Sequence, residues 1–80
     1  MKQELGLEAS FCVDYKELDE VKYHLKNRNI MVSNLEYLEQ VKVFVEGKEE
    51  DVLKLQSDKM SDRVELKGFE VLRKKYIEVE

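Results

Sequence analysis

The stretch that decides the fold is residues 34–47, NLEYLEQVKVFVEG. Its second half alternates apolar and other side chains, with valine at 41, 43 and 45, which is typical of a half-buried strand. Residues 30–37 predict a preceding strand, and its apolar parity changes near Ser33–Asn34, which indicates a bulge. The chain turns between them at 38–40. We therefore predict a hairpin whose inner side chains include Tyr37 and the three valines.

An alternating strand precedes this hairpin. In residues 5–15 the odd positions are apolar or aromatic and the even positions are mostly polar or small. A period of two over this length predicts a strand with one buried face and one open face. Cys12 falls on the open parity.

Helical periodicity separates this strand from the hairpin. Leu18, Val21 and Leu25 share one helical face, so we predict a helix over 16–27. Asp14 and Glu17 have the spacing of a capping box. Asparagines at 27 and 29 tolerate the left-handed conformation that ends helices.

A second helix follows the hairpin. We expect Gly47 to break the strand and a helix to occupy 48–60, with acidic residues in its first turn. Residues 64–79 then predict an extended region with a bulge at Gly68. Arg73-Lys74-Lys75 suggests a tight turn, after which 76–80 returns as an extra edge strand.

The predicted order is therefore β-α-β-β-α-β in one domain spanning residues 1–80. This order is typical of a ferredoxin-like α+β sandwich. Right-handed crossovers place both helices on one face of a four-stranded antiparallel sheet. The other face stays open.

Composition excludes several classes of protein. The 80-residue chain has a net charge of −4, so it is not a polyanion binder as a whole. A single cysteine excludes an internal disulfide and favours a reducing, cytoplasmic location. No apolar run reaches the length of a membrane span.

Catalytic chemistry has little support in the sequence. His24 has no metal-ligand spacing to another histidine or cysteine, and the carboxylates are scattered over helix faces. Acylphosphatase shares the predicted topology, but its phosphate loop needs glycine and arginine, whereas residues 14–18 read DYKEL. We expect no catalytic residue, metal or cofactor. An acylphosphatase-like hydrolase is therefore the weakest of the three functions considered.

Two sets of residues are candidate binding sites. The basic concentration near the C-terminus could contact phosphates, and it comprises Lys67, Arg73, Lys74 and Lys75. The open sheet face suits a protein partner or a homodimer, and its candidates are Cys12, Met31, Leu38, Lys42 and Phe44. The glycine–aromatic pattern of RNA-recognition motifs is missing around Phe44.

Residues 13–47, VDYKELDEVKYHLKNRNIMVSNLEYLEQVKVFVEG, together with VELKG at 64–68 and KYIEVE at 75–80, resemble the small C-terminal domain of the YigZ/IMPACT family. The resemblance covers roughly residues 5–80. It implies a ferredoxin-like fold similar to the last domain of elongation factor G, and a link to RNA or the ribosome. The leading expectation is a non-enzymatic accessory domain of this kind. The alternative is a stand-alone protein-interaction module, either a homodimer or a small acidic inhibitor.

Overall fold

Four strands and two helices alternate along the chain in the predicted order. The computed structural model describes residues 2–57 and 66–79. The elements are β1 (Lys2–Val13), a 3-10 turn (Tyr15–Glu17), α1 (Leu18–Asn27), β2 (Met31–Tyr37), β3 (Val41–Lys48), α2 (Glu49–Ser57) and β4 (Lys67–Val79). The protein is therefore an α+β domain with a four-stranded antiparallel sheet and two helices.

The sheet has the strand order β2-β3-β1-β4. The hairpin of β2 and β3 is confirmed, as is its bulge, because the register shifts between Val32 and Asn34. The hydroxyl of Ser33, the extra residue, donates to the Phe44 carbonyl oxygen at 3.2 Å. The hydrogen bond ties the bulge to the neighbouring strand.

One continuous core lies between the sheet and the helices. The odd residues of β1 from Leu7 to Val13 and the three valines of β3 are buried there with residues of α1 and α2. The members of the core are Leu7, Ala9, Phe11, Val13, Val21, Leu25, Ile30, Val41, Val43, Val45, Val52 and Leu55. Both helices contribute to this single cluster, so they cover the same face. Within the described residues, no helix is long and apolar enough to cross a membrane.

The aromatic residues at one end of the sheet are more exposed than the sequence predicts. Tyr37 was expected in the core but is 61% exposed. It is the cross-strand partner of the buried Val41, so it points to the core side, and it stacks on the exposed Tyr15, with ring centroids 6.2 Å apart. The alternation continues to Tyr37, but no helix reaches over this end of the sheet to bury it.

The predicted capping box does not form. A 3-10 turn precedes α1, so the helix begins at Leu18 instead of residue 16. The Asp14 side chain caps no helix N–H. Its Oδ1 accepts a hydrogen bond from Gln40 Nε2 at 3.0 Å, which ties the end of β1 to the β2–β3 turn. The helix ends as expected, with Asn29 at φ +59°.

Gly47 does not break β3. It pairs with Leu7 inside the strand, and α2 begins only two residues later, at Glu49. Helix α2 is described as far as Ser57, so the predicted continuation to residue 60 lies outside the described residues. The same holds for the strand start expected at residue 64.

The predicted turn at Arg73–Lys75 is wrong, and so is the extra edge strand after it. Strand β4 runs without interruption from Lys67 to Val79 and pairs with β1 along its length. The register shifts opposite Gly68 and again between Val71 and Arg73. Gly68 takes φ +63°, which confirms the predicted bulge. Strand β1 is long enough to pair with the whole of β4, and this pairing keeps residues 73–75 in an extended conformation.

Candidate functional site: the open face of the sheet

The sheet face that carries no helix is the candidate site, called the open face below. It is formed by the even residues of β1 and β3 and by their cross-strand partners in β2 and β4. Cross-strand partners point to the same side of a sheet, so the register assigns each side chain to a face. The described side chains on it include Glu4, Glu8, Ser10, Cys12, Met31, Asn34, Glu36, Lys42, Phe44, Glu46, Lys48, Lys67, Glu70, Arg73 and Lys75.

Phe44 lies in the middle of the open face and is half-buried. The Lys42 ammonium lies 5.3 Å from the centre of its ring, within the range of a cation–π contact. Ser10 lies between Phe44 on β3 and Glu70 on β4 and is only 1% exposed. A large aromatic therefore lies beside a small residue at the centre of the face.

Four charged side chains form a cluster beside Phe44. Arg73 Nη2 lies 2.9 Å from Glu8 Oε1, and Lys75 Nζ lies 3.1 Å from the same oxygen. Lys75 also binds Glu46. The cluster joins β1, β3 and β4, because each strand contributes at least one of these groups.

The cluster changes the proton affinities of its members. Hydrogen bonds from Arg73 and Lys75 lower the pKa of the Glu8 carboxyl below its ordinary value of 4.5. The hydrogen bond to Glu46, followed by that to Glu8, raises the pKa of the Lys75 ammonium. The hydrogen bond to Glu8 likewise raises the pKa of Arg73. All of these charges are present at neutral pH.

Among the described side chains of the open face, acids and bases are equal in number. The carboxylates are Glu4, Glu8, Glu36, Glu46 and Glu70, and the cations are Lys42, Lys48, Lys67, Arg73 and Lys75. Several face each other across strands, as Glu36 does Lys42, and Lys48 lies 3.4 Å from Glu4. A face with both signs interspersed does not present a positive field to a polyanion.

The predicted phosphate site does not form one patch. Arg73 and Lys75 lie on the open face and bind carboxylates, whereas Lys74 points to the helix side, where its Nζ is 3.9 Å from Glu49 Oε2. Lys67 lies across from Cys12, beyond both register shifts. An alternating strand sends consecutive cations to opposite faces, which a turn would not do.

Four of the five residues predicted for a protein interface share the open face. Met31 pairs with Glu46, Lys42 with Cys12, and Phe44 with Ser10. Leu38 lies apart from these rows in the β2–β3 turn, where its carbonyl accepts a hydrogen bond from the Tyr15 hydroxyl. The sequence reading missed Glu8 and Glu46, although their even positions in β1 and β3 would have placed them on this face.

The described residues show no arrangement suited to metal binding. No group of three or more histidine, cysteine or carboxylate side chains among them is placed to hold a metal ion. A cleft of about 250 Å³ at the far end of the sheet is lined by Glu4, Leu5, Lys48, Glu49 and Glu50. Two of its carboxylates already lie near lysines, Glu4 beside Lys48 and Glu49 beside Lys74.

The fold and the face together define a small α+β domain with one open, mixed-charge sheet surface. No family model matches the chain, and neither does any curated protein. The sheet surface itself is therefore the basis for a functional assignment.

Proposed function

We propose that this chain is a non-enzymatic binding domain that docks a protein through the open face, and that the partner is a second copy of the chain. We further propose a ferredoxin-like fold, similar to the C-terminal domain of YigZ/IMPACT proteins. The support for the fold is the strand order β2-β3-β1-β4 with every neighbouring pair antiparallel. Such an arrangement leaves one sheet face without helices.

The observation that carries the docking proposal is Phe44 at the centre of the open face. Its neighbours along β3 on that side are Lys42 and Glu46, and the small Ser10 lies directly across from it. An aromatic anchor surrounded by polar groups is the usual composition of a protein interface. Covering it would remove apolar area from water without burying an isolated charge, since Glu8 and Glu46 already have cationic partners.

The balance of charges favours a protein over a nucleic acid. Two copies that meet face to face would each offer both signs, so oppositely charged groups can pair across a two-fold axis. The link to RNA or the ribosome that the resemblance implies requires free cations. Arg73 and Lys75 are bound by Glu8 and Glu46, which lowers their value for phosphate contacts.

The size of the face limits the affinity. Four strands about 4.8 Å apart and about eight residues long give a face of roughly 500 Å². A standard interface buries about 800 Å² on each partner. We therefore expect a weak, reversible dimer that forms only at high protein concentration.

Sedimentation velocity across a range of protein concentrations tests the proposal. The wild type should shift toward a dimer as the concentration rises, and Phe44→Glu should remain a monomer because its carboxylate would be buried in the interface. Met31→Glu is a second variant on the same face, and Met31 is so exposed that its replacement should leave folding intact. Both should weaken the dimer.

Tyr23→Glu is the matched control. Tyr23 is an exposed aromatic on α1, away from the open face, so the same change in charge there should leave association unchanged. A wild type that stays monomeric at several hundred µM, or a dimer indifferent to both open-face variants, would contradict the proposal. The protein could instead bind a ten-uridine RNA and lose that binding when Arg73, Lys74 and Lys75 are replaced by alanine. That result would replace dimerisation with RNA binding as the proposed function.

A further inference from the structure

The outer edge of β4 is a long, unpaired backbone. Strand β4 lies at the end of the sheet order and pairs with β1 on one side. Within residues 2–57 and 66–79, no strand pairs with its other side. Backbone N–H and C=O groups on an edge strand can accept a further strand.

The second half of this edge is regular. The two register shifts of β4 lie before Arg73, and from Arg73 to Val79 the pairing with β1 is continuous. The opposite edge of the sheet, β2, has seven residues and is interrupted by its bulge at Ser33. Among the strands in residues 2–57 and 66–79, β4 is therefore the one that offers about seven consecutive residues to an incoming strand.

The second half of β4 begins with three consecutive cations, Arg73, Lys74 and Lys75. Its sequence contains four cations, Lys67, Arg73, Lys74 and Lys75, and two carboxylates, Glu70 and Glu78, so the strand is cationic on a chain whose net charge is −4. Arg73 and Lys74 each have side chains that are 68% exposed. Tyr76 is 72% exposed on the helix side, as the cross-strand partner of Leu5.

We propose that the outer edge of β4, from Arg73 to Val79, binds an extended acidic peptide segment of a partner protein by strand addition. The incoming backbone would pair with the free N–H and C=O groups, which supply the affinity. A carboxylate of the peptide would meet the exposed Lys74 on the helix side. An apolar residue would pack on Tyr76.

Backbone chemistry favours a peptide over a nucleic acid at this edge. A phosphate can accept hydrogen bonds from the free N–H groups but offers nothing to the free carbonyl oxygens. A second copy of β4 is also disfavoured, because it would bring four more cations to the same edge. The outward backbone groups of this edge and the side chains of Lys74 and Tyr76, which point to the helix side, are not part of the proposed dimer face.

The probe is an acetylated, amidated eight-residue peptide with the sequence Glu-Glu-Val-Val-Glu-Glu-Val-Val, in which each face of the extended strand carries both glutamate and valine. Added to ¹⁵N-labelled protein, it should shift the backbone amide resonances of residues 73–79 and slow the hydrogen exchange of those amides that point outward. Two control peptides should not bind. One has lysine in place of glutamate, and the other has N-methylated valines, which remove backbone donors from both edges of the strand.

Lys74→Glu is the variant that tests the charge. We expect its affinity for the acidic peptide to fall about fivefold, because an exposed attraction becomes a repulsion. Lys22→Glu makes the same change on an exposed position of α1 and should leave binding unaltered. Circular dichroism checks that both variants are folded.

Several outcomes would overturn the edge site. They are a peptide that fails to bind at millimolar concentration, equal binding of the N-methylated peptide, and tighter binding of a ten-uridine RNA to the same residues. Loss of peptide binding in Phe44→Glu together with retention in Lys74→Glu would move the site to the open face. Because the edge test uses monomeric protein at low concentration, its failure leaves the dimer proposal untouched.

Discussion

At the scale of single residues, the position of a side chain on its strand determines its partners. Glu8 and Glu46 lie on the open face because they occupy even positions of β1 and β3, and they pair there with cations from β4. The carboxylates lie next to each other across the two strands, so they would repel without Lys75 between them. The cluster therefore links stability to the ionisation of these groups.

The first prediction concerns the pH dependence of stability. Folding lowers the pKa of Glu8 below 4.5, so its contribution is fully present above that value and is lost as the pH falls through the lowered folded pKa. Folding raises the pKa of Lys75 above 10.5, so its contribution is present below that value and is lost as the pH rises through the raised one. Urea unfolding should show the free energy of unfolding falling at both extremes.

Glu8→Gln tests the acid limb of this profile. The variant should be less stable than the wild type at neutral pH, and the difference should shrink below about pH 4.5. Glu39→Gln, on an exposed position of the β2–β3 turn, is the control and should follow the wild-type profile. A Glu8→Gln profile parallel to the wild type across the acid range would show that the cluster contributes nothing.

At the scale of elements, β4 shows how bulges change the outcome of a pattern. The register shift between Val71 and Arg73 reverses the parity of the strand, so Arg73 joins Glu70 on the open side although their positions differ by three. Sequence reasoning interpreted the same irregularity as a turn. A break in the alternation can mark either a turn or a β-bulge. Here it marks a bulge, because β4 pairs with β1 on both sides of the break.

The second prediction concerns the bulge at Gly68. Gly68 has φ +63°, a left-handed conformation that costs a residue with a Cβ about 1–2 kcal/mol. Gly68→Ala should lower the free energy of unfolding by about that amount, measured in urea. The loss has a backbone origin, since an added Cβ at this position meets no atom within 4 Å.

Gly47→Ala is its matched control. A Cβ at Gly47 would lie 3.5 Å from the Asn29 carbonyl oxygen and 3.5 Å from Val52 Cγ2, which are ordinary contacts, and the backbone there is not left-handed. We expect a change within about 0.5 kcal/mol. Equal effects of the two substitutions would argue against strain at the bulge.

At the scale of the whole molecule, a single hydrophobic core lies between one face of the sheet and the two helices. Strand β1 is central, with β3 on one side and β4 on the other, and its odd residues supply the middle of the core. The pairing of β1 with β3 ends at Gly6, whereas its pairing with β4 continues to Lys2. Beyond Gly6 the sheet is therefore a two-stranded ribbon.

The third prediction follows from this ribbon. Two-stranded ribbons are marginally stable in water, whereas the central strands open only when the core does. Backbone amides in residues 2–5 should exchange with solvent at least about tenfold faster than paired amides in residues 9–13, measured by native-state hydrogen exchange. Uniform protection along β1 would contradict the prediction and would indicate that something else covers the ribbon.

The sequence by itself determined the order of the elements and most of the core. Apolar period-two runs in β1 and β3 and the helical period of Leu18, Val21 and Leu25 are local patterns, and each was read correctly as a strand or a helix. Asn29 and Gly68 were also identified, because a left-handed backbone favours those residue types. Such features depend on near neighbours in the chain.

Only the tertiary structure decided the features that depend on distant pairing. The length of β1 as a partner keeps Arg73, Lys74 and Lys75 in a strand, and the end of the helical layer leaves Tyr37 in solvent. Asp14 binds Gln40 instead of capping α1, because the β2–β3 turn lies beside it. Each of these outcomes is set by a contact between residues more than twenty positions apart or by the limit of a covering layer, and local periodicity carries no information about either.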